Sequence, residues 1–381
     1  MEVTVKQRTT VRNWYVYPAI VAIALSAGCS DSILDSYPFP EGKVFFSHAP
    51  IDISGARWFI GMGEPNVVPK DHGGFALAEP YVFPASVPVL AVADGVVIRA
   101  SLGTRSVPAI PDAPAALWGR QYDDHLLVLK VSETIEVNYA HVTDFQPAFE
   151  AKVGNLPRDE VGHDVEVVVK GGDTLGFVGP HAAMDFSVTD KSLDLDLLNP
   201  RRYPDNHRYS AHIFDYFGEP VLSQLLAITP RQEPPRGGKV DYDVAGKIVG
   251  NWFREGTTSF VQWSRQLSIV YHHIYGDRIT IADGSPMRDV PGIEGPGAPD
   301  VWWVKSNEPR PEAVGVGDGI VKYSLIFGRD FYGDPDYDEA TRPVQGVMLV
   351  EMLDPGRIRV QVFKGVLDAD AFTAAAKVYV R

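Results

Sequence analysis

The chain reads as a mainly β protein made of two units. Three observations lead there. Short runs rich in Val, Ile and aromatic residues recur through most of the 381 residues, with Gly, Pro and Asp between them. Beyond the N-terminal region only residues 219–228 (EPVLSQLLAI) carry a clear helical pattern. The Pro- and Gly-rich stretch 230–238 (PRQEPPRGG) then divides the runs into two sets. A composition of 45% hydrophobic and 22% charged residues is that of a chain that buries a core.

In chain order, the first segment is a targeting signal. Lys6, Arg8 and Arg12 precede an apolar run at 14–24, and Ser26-Ala27-Gly28 precede Cys29. The run is too short to span a membrane comfortably, so residues 1–28 are expected to be processed. The phrase LSAGC (25–29) resembles a bacterial lipobox, in which Cys29 becomes the lipidated first residue. Ser26 stands where that motif usually has Leu. The resemblance implies secretion across the inner membrane and a lipid anchor. Ser30 after the Cys implies an outer-membrane location, facing the periplasm or the cell surface. Residues 29–44 are polar and contain Pro, which suits a tether.

Residues 45–232 form the first unit. VFF (44–46), VPVLAVA (87–93), GVVIRA (95–100), HLLVLKVS (125–132), IEVNYAHV (135–142), VEVVVK (165–170) and AMDFSV (183–188) read as strands. Residues 61–84 look irregular, and 101–124 and 143–164 look like surface loops. In 219–228, Pro220 suits a first helical position, and Val221, Leu225 and Ile228 share a face. Residues 233–381 form the second unit. KVDYDV, KIVGNWF, FVQW, LSIVYHHIY, RITIA, VWWVKS, GIVKYSLIF, GVMLVEML, RIRVQVF and AKVYVR give eight to ten strands at regular spacing, as in an antiparallel barrel or sandwich. Residues 369–376 suggest one short helix. GKIVGNWF faintly resembles the Gly-x-Trp opening of lipocalin-like barrels.

Several functions are disfavoured. A net charge of −14 argues against nucleic acid as the main partner. One cysteine excludes an intramolecular disulfide framework and a multi-Cys zinc site. No serine has Gly-x-Ser-x-Gly around it, and no phosphate-cradling Gly-Lys-Ser/Thr loop is present. The acidic stretch 330–340 lacks a regular calcium-loop spacing. His207 and His212 fall in a polar loop and read as surface residues. His272 and His273 are neighbours in an apparent strand, so they should face opposite ways.

The residues that bear chemistry lie between 72 and 185. PVLAVADGVV (88–97), Tyr139-Ala140-His141, GGDTLGFVG (171–179) and PHAAMDFSV (180–188) follow one another in an order that resembles the core of lysostaphin/LytM-type zinc endopeptidases. That resemblance implies a peptidase domain with one Zn²⁺ held by His, Asp and His, acting on peptidoglycan. The metal phrases depart from the family pattern. HGGFA (72–76) has Ala76 where the family has its Asp ligand. Near the end, either Asp185 replaces the second His of His-x-His, or His181 matches Gly-Pro-His and Ala183 replaces the ligand. The expected set is therefore His72, Asp185 and either His141 or His181 as metal ligands, with His141 and His181 as catalytic candidates. Two imidazoles and a carboxylate form an accepted zinc set. Asp71, if in a strand beside His72, would point to the opposite face. The expected partners are peptidoglycan or an envelope protein. Two alternatives stay open: a catalytically inactive envelope binding module, and a barrel for a small apolar ligand, the latter resting on the second unit alone.

Overall fold

A computed structural model describes residues 32–285, 289–290, 293–294, 300–327 and 342–381. The whole signal segment 1–28, Cys29 and the acidic stretch 330–340 lie outside the described residues.

The first unit is organised on a seven-stranded antiparallel sheet. Its strands are β1 (Ala56–Ile60), β2 (Gly73–Leu77), β3 (Gly95–Ser101), β4 (His125–Lys130), β5 (Ile135–Val142), β6 (His163–Val169) and β7 (Ala183–Asp190). Their spatial order is β1-β2-β7-β5-β4-β3-β6. A small sheet of Val87–Leu90, Thr174–Val178 and Asp144–Phe145 accompanies it. The period-2 pattern of β5 explains its two faces. Ile135, Val137 and Tyr139 enter the core, while Glu136, Asn138 and Ala140 face the other way. Met184, Phe186 and Val188 of β7 enter the same core. The Tyr139 hydroxyl is satisfied there by accepting from the Val92 N–H at 3.0 Å.

The second unit is a closed eight-stranded antiparallel barrel, which decides between barrel and sandwich. Its strands are β8 (Gly250–Arg254), β9 (Gln266–Tyr271), β10 (Ile279–Asp283), β11 (Asp300–Val304), β12 (Ile320–Phe327), β13 (Gly346–Asp354), β14 (Arg357–Lys364) and β15 (Lys377–Val380). Each pairs with the next, and β15 closes on β8. Closure removes the exposed edges. Trp252 fills the barrel from β8; its indole N–H donates to Ile248 O at 2.8 Å, and the Arg381 guanidinium lies over its ring at 3.7 Å.

Several elements differ from the sequence reading. FVQW (260–263) is not a strand; it is a turn that leads into the 3-10 helix Trp263–Arg265. Residues 369–376 form no helix. The helix in 219–228 runs Val221–Ala227, with Pro220 as its N-cap. Residues 61–84 contain β2 and a small hairpin, Pro65–Asn66 with Val68–Pro69. Glycine-rich HGGFA hid β2 because its first positions have no side chain to show alternation. Part of the tether is docked: Ser32 caps the short helix Ile33–Ser36, and its hydroxyl donates to Glu166 Oε1 at 2.5 Å. His207, read as a surface residue, is buried and stacks on Tyr203 with centroids 4.9 Å apart. His272 and His273 follow the end of β9, so strand alternation does not apply, and their rings pack together at 4.3 Å.

The Pro/Gly-rich stretch between the units is packed. Arg231 is buried, and its guanidinium donates to His272 O, His273 O, Glu233 O and Pro235 O at 2.9–3.0 Å. Met62 N–H donates to Gly237 O at 2.9 Å, and the 65–69 hairpin rests on β9 and β10 of the barrel. The contact is tight enough to need glycine. A Cβ on Gly284 would lie 2.6 Å from Val67 Cγ1 and still closer to Trp263 O.

Candidate functional site

The outer face of the large sheet carries a cleft of about 350 Å³. Its centre is one row across three strands. Asp185 of β7 pairs with Ala140 of β5 on one side and Gly74 of β2 on the other. Both neighbours are small, which leaves the carboxylate room. A Cβ on Gly74 would lie only 3.3 Å from Asp185 Oδ1.

His141 reaches this face through a bulge. The β5–β4 pairing slips between Ala140 and Val142, and His141 sits in the slip with φ 67°. A bulge adds one residue and re-aims its side chain, so His141 escapes the alternation of β5. A non-glycine residue at positive φ is strained, and such strain concentrates at functional sites. His72 enters from the turn just before β2.

These side chains converge. His72 Nε2 lies 3.4 Å and His141 Nε2 3.3 Å from the same oxygen, Asp185 Oδ2. The far nitrogen of each ring is held by a second carboxylate. Asp71 Oδ1 is 2.8 Å from His72 Nδ1, and Asp124 Oδ1 is 2.9 Å from His141 Nδ1. Each second carboxylate is itself anchored: Asn206 Nδ2 donates to Asp71 Oδ2, and Arg105 Nε donates to Asp124 Oδ2. Asp71 thus touches His72 instead of turning away, because both precede the strand. His181 takes a different place. Its ring stacks on His141 with centroids 3.9 Å apart, and its Nδ1–H donates to Ala183 O at 2.7 Å. Ala76 and Ala183 face each other as register partners on β2 and β7 and line the same cleft.

The electrostatics follow from this packing. Burial pushes the Asp185 carboxyl up, but His72 and His141 outweigh it and hold it well below the usual range. Asp124 is likewise held well down by His141 and Arg105 against burial. Burial alone would lower His141, yet Asp124 and Asp185 raise it to about 9. His72 is raised by Asp185 and Asp71 against its own burial. His181 falls to about 3, from burial first and then from the charge of His141.

Donors about 2.0–2.1 Å from a tetrahedral zinc stand about 3.3 Å apart. Both Nε2–Oδ2 separations match that edge, and the Nδ1–carboxylate pairs fix ring orientation as outer-shell partners do in zinc sites. The donor types are ones that zinc accepts, and two of the three edges have the matching length. Among the described residues, however, no group of three or more His, Cys, Asp or Glu is gathered as a ready-made metal cage. The cleft offers two edges that share one carboxylate oxygen.

Sequence reasoning missed Arg105, on the hairpin Thr104–Ser106 with Gln121–Asp123, and Asp124, which directly follows that hairpin, both inside a segment read as loop. It also missed Glu64 and Lys70 on the cleft wall. A carboxylate adjacent to an apolar strand was the available signal for Asp124. In the barrel, Trp252, Ile269, Ile281, Tyr323 and Met348 are all fully buried, so no water-sized space adjoins them. No model of a known protein family matches the chain, and no curated protein matches it in sequence.

Proposed function

We propose that the first unit is a zinc-dependent hydrolase centre of lysostaphin/LytM type with a rearranged ligand set, carried by a secreted, lipid-anchored envelope protein that acts on peptidoglycan. The observation that carries this reading is the pair of 3.3–3.4 Å edges from His72 and His141 to Asp185 Oδ2. His72 and His141 would supply Nε2, and Asp185 would supply Oδ2. The carboxylate missing at Ala76 is thereby replaced from the neighbouring strand. Asp71 and Asp124 would keep each ring in the tautomer whose Nε2 lone pair faces the ion. A bound zinc polarises an amide carbonyl and lowers the pKa of its water to about 7. Anchoring rests on the sequence phrase ending at Cys29.

A second reading, a non-catalytic binding cleft, is favoured by one observation. The trio is electrically closed without an ion, since His141 stays protonated up to about 9 between two carboxylates. One experiment separates the two. Metal analysis of the full chain after zinc loading, followed by digestion of purified peptidoglycan, should give one zinc per chain and release of muropeptides. Loss of both in Asp185→Ala is expected. Failure to hold zinc refutes the hydrolase reading and leaves the binding cleft.

A further inference from the structure

The cleft carries two ion pairs, one on each side of the centre. Lys70 Nζ is 2.7 Å from Glu64 Oε2 on the β2 side, and Arg105 Nε bonds Asp124 Oδ2 on the β4 side. Strands β7 and β5, which carry Asp185 and His141, lie between them. All four side chains line the cleft.

The two pairs share an asymmetry: the cation is the more exposed member of each. Lys70 is 30% exposed against 17% for Glu64, and Arg105 is 30% exposed against 3% for Asp124. Asp124 is turned inward to His141, and Asp71 is turned inward to His72. Asp124 and Asp71 are engaged in orienting the two imidazoles and Glu64 is engaged by Lys70, while Lys70 and Arg105 are the more exposed members of their pairs at the cleft. An anion that enters the cleft meets the more exposed, cationic member of each pair first. Lys70 is also held in place. Its N–H donates to Glu64 O at 3.0 Å and its carbonyl accepts from Gly63 N–H at 2.8 Å, closing the hairpin that rests on the barrel.

We infer that the cleft takes a ligand bearing a carboxylate close to the group held at the centre, with Lys70 and Arg105 as its recognition residues. The inference rests on the zinc reading above. It assigns the substrate class as an acidic peptide, or a peptide with a free carboxyl end, and it assigns the barrel the task of holding Lys70 at the opening.

Two small probes that share one metal-binding head separate the carboxylate from the metal. Acetohydroxamic acid has no carboxylate, and succinic acid monohydroxamate has one. Both are titrated calorimetrically into the zinc-loaded full chain, into Lys70→Met and into Lys70→Arg. The parent protein should prefer the succinyl probe. Lys70→Met should lower that preference about fivefold, the size of a partly exposed ion pair. The readout is the ratio of the two affinities at one zinc per chain, which cancels any effect of the lost charge on the metal head, and Lys70→Arg should restore the preference. Zinc bound without a preference for the succinyl probe, or a preference that survives in Lys70→Met, overturns the inference and leaves the metal centre standing. Failure to bind zinc refutes the metal centre and the inference together.

Discussion

Replacing Asp124 by Asn tests whether His141 is a ligand. Asp124 is 3% exposed and serves two partners, the His141 ring at 2.9 Å and the Arg105 guanidinium. The amide keeps the shape and removes the charge, so His141 loses the group that orients it. Loss of such an outer partner costs about 10–100-fold in metal affinity, which is about 1.4–2.8 kcal/mol. The metal-free fold is affected separately. Breaking a buried pair from one side costs about 3–5 kcal/mol. Arg105 is 30% exposed and can rehydrate, so a cost of about 1–2 kcal/mol is expected here. Zinc affinity is read by competition with a chelating indicator, and metal-free stability by urea unfolding. Asp123→Asn is the control. It breaks a solvent-exposed pair with Arg158 at 2.6 Å, and zinc affinity should stay within about twofold. If Asp124→Asn loses stability yet binds zinc as tightly as the parent, His141 is not a ligand and the relay from Arg105 is purely structural.

Three further outcomes are expected. Trp252→Ala empties the middle of the barrel and should cost about 3–5 kcal/mol, seen as an earlier urea transition. His273 is buried near Lys70 and Arg231, with no hydrogen-bond partner for either ring nitrogen among the described residues, and its pKa is lowered to about 3. The unfolded chain then binds the extra proton between about pH 6.5 and pH 3, so stability is intact above that window and falls as pH drops through it. His273→Leu should remove up to about 1.4 kcal/mol per pH unit of that slope, measured by urea unfolding between pH 7 and 4. Gly284→Val drives a side chain into Val67 and the Trp263 carbonyl, so hydrogen exchange across residues 61–70 should accelerate while the barrel core stays protected.

The barrel was legible because its strands are short runs rich in Val, Ile and aromatic residues at regular spacing, with turn residues between them. FVQW misled because an apolar cluster of four residues packs equally well as a turn. In the first unit, the same signal revealed β3, β4, β5, β6 and β7. It could not reveal β2, whose first two residues, Gly73 and Gly74, are glycines that leave space beside Phe59 and Asp185. The site was partly legible. His72, His141, His181 and Asp185 were named from their phrases, but the bulge that aims His141 has no signature in VNYAH. Asp124 and Arg105 lie 17 and 36 positions from His141, and only strand order brings them to it. The role of Asp71 was misread because alternation was applied to a residue in a turn.

The seam around Arg231 bears on how this protein can be divided. Its guanidinium is satisfied by two carbonyls within 230–238, Glu233 and Pro235, and by His272 O and His273 O of the second unit, and Gly237 accepts from Met62 N–H across the same seam. A cut there would strand a buried cation and several backbone partners at once, which neither half can replace with its own groups. The stretch that looks most like a joint is therefore the worst place to shorten the protein. A protease given the intact chain should find its first foothold elsewhere, and the two cores should be lost in a common step.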